Sequence, residues 1–213
     1  MNIRGAVFDL DGTLTDSMYI WNEAPKALVR RYGGEPPENL AQEIKKMGRR
    51  EASIYMREKF CLDCSVEELM DGINALVTEE YRCRVPMKPG ADRLLARLAA
   101  EGIPCCIATA SESAQAQAAM ERLGLWKYFR FAVSCIQYGG KTEPDIYLEA
   151  ARRLGTDIGE TAVFEDALHA ARTARKAGFP VCGVYDASAE EDQPQLRALS
   201  TWYVRTLSDW NSR

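Results

Sequence analysis

Short runs of apolar, often β-branched residues recur along the chain at Ile3–Phe8, Ile103–Ala108, Phe131–Val133, Ala162–Phe164, Val181–Val184 and Trp202–Val204. Runs of this length predict strands. Between them the apolar positions switch to helical spacing over Ala91–Ala100, Ser113–Leu123, Asp145–Leu154 and Leu168–Ala177. Gly102, Gly124, Gly155 and Gly178 follow these stretches within two residues, where a helix ends most easily on a glycine. Strands alternating with helices build right-handed β-α-β units, so the pattern predicts an α/β fold with a largely parallel sheet covered on both faces. A ligand site is then expected at the carboxyl ends of the strands.

The stretch from about Asp16 to Arg84 breaks the alternation, with helical periodicity and no convincing strand. Met70, Ile73, Val77 and Tyr81 fall on one helical stripe, while Glu67, Glu68, Asp71, Glu79, Glu80 and Arg82 occupy other faces, which predicts a buried seam. Pro25 is expected to interrupt the first helix of the insert, and Gly33-Gly34 with Pro36-Pro37 to mark a turn before the next. The expected division is therefore a sheet domain of residues 1–15 and 88–213 with an all-helical domain, residues 16–87, inserted through two connections that could hinge.

Composition narrows the functional classes. An apolar fraction of 46% and a charged fraction of 27% in 213 residues suit one buried core with a smaller accessory domain and argue against disorder. With 27 basic against 31 acidic residues the net charge is -4, so no broad positive field exists to hold nucleic acid, and an anionic substrate must be held by local groups. No apolar stretch approaches the ~20 residues of a membrane span. Met1 to Asp9 runs straight into a strand without a signal-peptide pattern, so a cytoplasmic protein is expected. The seven cysteines lack a disulfide spacing pattern, and Cys105-Cys106 reads as core, so reduced thiols are expected. Cys61 and Cys64 form a C-x-x-C, but the sole histidine, His169, is distant in sequence and the pair falls short of a four-ligand zinc site.

Four positions carry candidate chemistry. The first strand ends in Asp9-Leu10-Asp11-Gly12-Thr13. Carboxylates two residues apart in extended chain project to the same side, and Gly12 allows a sharp turn with close approach to a ligand. Crowded like charges raise a carboxyl pKa, a cost that is tolerable where a divalent cation or a transferring proton belongs between them. The second long strand ends in Thr109-Ala110-Ser111, a hydroxyl and successive amides at a helix start that suit a phosphate. Lys141 follows Gly139-Gly140 in a loop opening a helix, and Glu165-Asp166 end the fourth strand as a second acid pair in a position equivalent to the first. Taken singly, each has an ordinary structural explanation as a turn, a helix cap or a solvated lysine.

Together, in type, order and strand position, these four sites resemble the motifs of the haloacid dehalogenase superfamily over nearly the whole chain, and the insert resembles the helical cap of its β-phosphoglucomutase-like subgroup. The resemblance implies a Rossmann-like parallel sheet flanked by helices and a magnesium-dependent phosphatase acting on a small phosphate monoester, a sugar phosphate or similar metabolite. Residue by residue, it implies Asp9 as nucleophile and Mg2+ ligand, and Asp11 as general acid/base lending its backbone oxygen to the metal. It further implies Thr109, Ala110 and Lys141 as phosphoryl ligands, and Asp166 supported by Glu165 as the rest of the metal site. After the last motif the family's usual Asp-Ser is replaced by Asp166-Ala167, which removes a hydroxyl and no ligand. The expected partner is the metabolite alone, with no nucleic acid or membrane and a monomer favoured.

Hydrolysis of a phosphate monoester needs acceleration of up to ~10^21-fold, which no single group supplies, so covalent attack, charge neutralisation and proton transfer must combine. Asp11 with Glu165-Asp166 argues against metal-free dehalogenation. The insert lysines Lys45, Lys46 and Lys59 offer no context that singles out a Schiff base for phosphonate cleavage. A sugar-phosphate mutase shares all four motifs. The mutases are expected to carry a histidine shortly after the first motif, where this chain reads Ser17-Met18-Tyr19-Ile20-Trp21, which favours water as acceptor. A non-catalytic binding module on the same fold is the reading of another class. Residues 43–60 carry an excess of basic side chains, mostly a solvated helix face, in which Arg49 and Arg50 after Gly48 are the candidates to reach a leaving group.

Overall fold

The computed structural model describes residues 2–44 and 47–211. In chain order, β1 (Gly5–Phe8) leads to the helices α1 (Met18–Arg31), α2 (Leu40–Ile44), α3 (Arg49–Lys59) and α4 (Val66–Cys83). The chain then alternates through α5 (Ala91–Ala100), β2 (Cys105–Thr109), α6 (Ser113–Arg122), β3 (Phe129–Ser134), α7 (Asp145–Leu154), β4 (Thr161–Glu165), α8 (Leu168–Lys176), β5 (Val181–Val184), α9 (Gln193–Leu199) and β6 (Trp202–Val204). The strands form one six-stranded parallel sheet in the order β3-β2-β1-β4-β5-β6. This is the Rossmann-like arrangement expected, and its strand order reverses between β1 and β4, where such sheets open a crevice at the carboxyl ends.

Successive residues of a strand face opposite sides of the sheet. Val7, Cys106, Val163 and Val181 join a core with Ile146 and Ala150 of α7, Ala171 and Ala174 of α8, and Leu196 of α9. Phe8 and Phe164, one residue further along their strands, stack with ring centroids 4.3 Å apart, and Trp210 meets Phe164 edge-on at 5.4 Å. Every residue of β1 is buried, as expected of a central parallel strand covered on both faces.

The chain divides into two compact units, Met1–Asp16 with Val85–Arg213, and Ser17–Arg84. The second holds α1 to α4 around Leu28, Val29, Leu40, Met56, Leu62 and Leu69. α4 starts on a capping box, in which the Glu68 amide donates to Ser65 Oγ at 3.1 Å and the Ser65 amide donates to Glu68 Oε2 at 2.7 Å. Two local expectations need correction. α1 runs unbroken through Pro25: a proline inside a helix costs ~3 kcal/mol, but the buried stripe of Ile20, Ala24 and Leu28 continues on both sides of it. On α4, Val77 and Tyr81 are buried as expected, whereas Met70 and Ile73 are half-buried and Val66 and Leu69 take the inner positions.

Within the sheet unit the two connecting segments run side by side. The Asp16 amide donates to Pro86 O at 3.0 Å and the Lys88 amide to Leu14 O at 2.8 Å. Lys88 Nζ then donates to Asp186 Oδ2 at 2.5 Å, just beyond β5. Burial would raise the Asp186 pKa, but bonds from Lys88 and the Ser188 amide outweigh it and hold the carboxyl below its ordinary value. Removing one partner of such a pair strands the other, so Lys88→Ala should cost about 3 kcal/mol in urea unfolding at neutral pH. Because the folded pKa is depressed, Asp186 contributes stability above its unfolded pKa and loses it as pH falls through the folded value. The difference between wild type and Lys88→Ala should therefore shrink below about pH 4. An equal difference at pH 3 and pH 7 would show that the pair is not its source. Among the described residues no helix is long and apolar enough to cross a membrane.

Candidate active site

The site begins with the register of β1 on β4. Phe8 pairs with Phe164 and the Asp9 amide donates to Phe164 O at 2.9 Å, so Asp9 and Glu165 leave adjacent strands at the same level, with Asp166 next in line. The turn after Asp9 closes through the amides of Leu14 and Thr15, which both donate to Leu10 O at 2.9 Å. Gly12 has φ +86, and a Cβ there would lie 2.5 Å from Asp166 Oδ2, so conformation and space both require glycine. Thr13 Oγ1 donates to Asp166 Oδ1 at 3.1 Å and holds that carboxyl in place.

Lys141 arrives from the loop between β3 and α7. A 3₁₀ turn at Cys135–Tyr138 and the left-handed Gly139 and Gly140 bring it back over the strand ends. Its ammonium donates to Asp9 Oδ1 and, at 3.0 Å, to Glu165 Oε1. Glu165 also accepts from the Asp166 amide at 3.1 Å and from the Tyr147 hydroxyl at 3.4 Å. Thr109 ends β2 fully buried, with its Oγ1 accepting from the Ser111 amide at 2.9 Å, and Ala110 lies exposed between them. Ser111 Oγ donates to Asp11 Oδ2 at 3.0 Å.

Carboxylate oxygens of Asp9, Glu165 and Asp166 lie within 4.8 Å of one another, and all three residues are buried. Burial, then repulsion from Glu165, raises the Asp9 pKa to about 8, against the opposing pull of Lys141. Burial and the neighbouring Glu165 and Asp9 carboxylates hold Asp166 well above the usual carboxylate range. Burial also works against the Lys141 ammonium, but Asp9 and Glu165 overcome it and keep its pKa well above the ordinary value. Three carboxylates facing one ammonium leave two negative charges in excess when all are ionised, the charge one divalent cation neutralises. An all-oxygen carboxylate set suits a hard cation such as magnesium.

The structure thus brings Asp9, Lys141, Glu165 and Asp166 into contact and sets Asp11 beside Ser111. Arg49 and Arg50 open α3 in the helical unit, where Arg50 pairs with Glu67 at 2.9 Å on the surface. Lys45 and Lys46 lie outside the described residues. Lys59 is bonded to Glu43 at 2.5 Å and to the Tyr55 hydroxyl at 2.9 Å. His169 is exposed on α8. Sequence reasoning missed three groups of the site: Thr13, Tyr147 and the bond from Ser111 to Asp11. Tyr147 had a readable signal, because a tyrosine on the inner stripe of a helix needs a partner for its hydroxyl.

A family model for haloacid dehalogenase-like hydrolases matches residues 3–178. The chain belongs to this family. This haloacid dehalogenase-like hydrolase is 34% identical over 200 residues to hexitol phosphatase A of Escherichia coli K12, covering 93% of this chain and 89% of that protein. It is 27% identical over 178 residues to the phosphorylated carbohydrates phosphatase of Thermotoga maritima, covering 83% of this chain and 82% of that protein. Among solved structures, a Thermotoga maritima protein assigned as a β-phosphoglucomutase superposes on the hydrolase with a TM-score of 0.82 at 25% identity, covering 97% of this chain and 96% of that one.

Proposed function

We propose that this hydrolase is a magnesium-dependent phosphatase that cleaves a small phosphate monoester, a sugar phosphate or similar metabolite, through a phospho-aspartate formed on Asp9. The reading is carried by the buried cluster of Asp9, Glu165 and Asp166 around the Lys141 ammonium at the switch point of the sheet. Such a cluster is costly to fold around unless it has a cationic ligand and an anionic substrate to receive. Asp9, Glu165 and Asp166, with the backbone oxygen of Asp11, would hold magnesium, which when bound supplies the positive charge that lets one anion approach another.

The residues divide the chemistry. A carboxylate oxygen of Asp9 bonds to phosphorus as the bond to the leaving oxygen breaks, and Asp11 gives that oxygen a proton. Water then attacks phosphorus and passes a proton to Asp11 as the Asp9–phosphorus bond breaks, restoring both carboxyl groups. The Thr109 hydroxyl, the Ala110 amide and Lys141 hold the phosphoryl oxygens. Arg49 and Arg50 would serve the leaving group, whose identity they would help select.

A second reading, sugar-phosphate mutase, draws support from the structural likeness to the protein assigned as a β-phosphoglucomutase. The helical unit contains no histidine to relay a proton at its entry, and the Tyr19 hydroxyl is bonded instead to Glu80 Oε2 at 2.8 Å. The deciding experiment supplies hexitol and sugar phosphates with magnesium, and glucose 1-phosphate with a bisphosphate primer, while following free phosphate and, through a coupled dehydrogenase, glucose 6-phosphate. Stoichiometric phosphate release that excess EDTA abolishes and magnesium restores is expected. Stoichiometric glucose 6-phosphate with little phosphate would replace phosphatase with mutase, and full activity in EDTA would remove the metal.

A further inference from the structure

We propose that Ser111 is a positioning residue for the Asp11 carboxyl, orienting it for proton transfer, rather than a ligand of the phosphoryl group. The proposal rests on the reading of Asp11 as acid/base. Ser111 is fully buried two residues past the end of β2, directly before the Glu112 cap of α6. Two of its polar groups reach motif residues: the amide donates to Thr109 Oγ1 at 2.9 Å and the hydroxyl to Asp11 Oδ2 at 3.0 Å. One side chain therefore ties the carboxyl end of β2 to the turn that follows β1.

The bond matters because Asp11 is not a member of the buried carboxylate cluster. The buried carboxylate cluster is formed by Asp9, Glu165 and Asp166, and the Lys141 ammonium is bonded to Asp9 and Glu165. Asp11 is only half-buried, on a turn whose backbone is fixed by the Gly12 amide donating to Thr15 O at 2.9 Å. The backbone sets where its Cβ lies, and the Ser111 hydroxyl holds the Oδ2 oxygen of the carboxyl. A serine hydroxyl has one donor and further acceptor capacity, so it can stay bonded to Asp11 in both protonation states, donating to the carboxylate and accepting from the acid. Proton transfer demands a donor within hydrogen-bond reach of the reacting oxygen, and a misplacement of about 1 Å can cost ~10^2-fold.

The test is a double-mutant cycle of Ser111→Ala and Asp11→Asn on the full chain with magnesium, using aryl and alkyl phosphates of graded leaving-group acidity, with Ser111→Thr as the conservative variant. Ser111→Ala should lower kcat by ~10- to 100-fold for alkyl phosphates, which need leaving-group protonation most. KM and the inhibition constant of inorganic phosphate should change by less than about threefold. In the Asp11→Asn background Ser111→Ala should have no further effect, and Ser111→Thr should recover most of the loss. Equal losses in the two backgrounds would overturn the proposal, as would a rise in KM and in the phosphate inhibition constant at unchanged kcat, which would make Ser111 a phosphate ligand. Thermal melting of each variant separates misfolding from misorientation, and if Ser111→Ala is unfolded Ser111→Cys, whose thiol is a much weaker donor, carries the test: reduced kcat only when Asp11 is present supports the role, and loss in both backgrounds refutes it. Wild-type turnover in Asp11→Asn alone would instead refute the acid/base reading itself.

Discussion

Asp9→Asn removes turnover, by at least ~10^4-fold in kcat, while leaving the metal-free protein as stable as wild type or more so. The two halves have one cause. An amide keeps the shape of the carboxyl but offers phosphorus no anionic oxygen, so no phospho-enzyme forms and labelling by beryllium fluoride disappears. The same carboxyl is an electrostatic liability without metal, since burial and Glu165 push its pKa to about 8. With the folded pKa above the unfolded one, the folded state holds a proton the unfolded state gives up, and stability falls as pH rises from about 4 to 8. Asparagine has no such slope, so the variant's advantage in melting temperature should be largest near pH 9. Steady-state kinetics and thermal melting across pH check both halves. Turnover at the wild-type level would end the nucleophile assignment, whereas a collapse in stability with the activity loss would make Asp9 a structural residue.

Much of the scaffold was legible because its signals are local. Strands such as Val181–Val184 and Trp202–Val204, and helices such as Ala91–Ala100 and Asp145–Leu154, match their expected limits because each strand is a short apolar run and each helix an amphipathic stretch, bounded by polar, proline or glycine residues. Gly155 ends α7 in the left-handed conformation its position suggested. The short α9 was not expected, since Gln193–Leu199 carries little periodicity and includes Pro194, which sits harmlessly in its first turn. Pro25 shows the converse: a residue with a strong local meaning is overridden by tertiary burial of the stripe around it. In the site, the motif carboxylates and Lys141 could be named because each ends a strand or follows glycines. Which groups touch which could not, because the bonds from Tyr147 to Glu165 and from Thr13 to Asp166 depend on how separate elements pack, and sequence spacing does not encode that distance. Glu165 illustrates the gap: a residue expected only to support the metal also receives the Lys141 ammonium.

Magnesium should bind more tightly as pH rises from about 6 to 8 and release protons on binding at pH 7, about one of them from Asp9. Without metal, Asp9 with a pKa of about 8 is mostly protonated at pH 7, and burial and the neighbouring carboxylates raise the Asp166 pKa as well. A cation held by these oxygens needs them ionised, so each carboxyl that coordinates gives up the proton that burial had kept on it. Calorimetry in buffers of different ionisation enthalpy counts those protons, with no substrate needed. The logarithm of the affinity plotted against pH should rise and become shallower above about pH 8, once Asp9 is ionised in the free protein. At a magnesium concentration 100-fold above its Kd the fold should gain ~2.7 kcal/mol, and the gain should be smaller at pH 6 than at pH 8 for the same total magnesium. Asp166→Asn tests the assignment group by group: it should weaken binding and lower the count of protons released. Tight binding with no proton release at pH 7 would mean that the cation sits elsewhere, and no binding at pH 8 would mean that the cluster is held together by Lys141 alone.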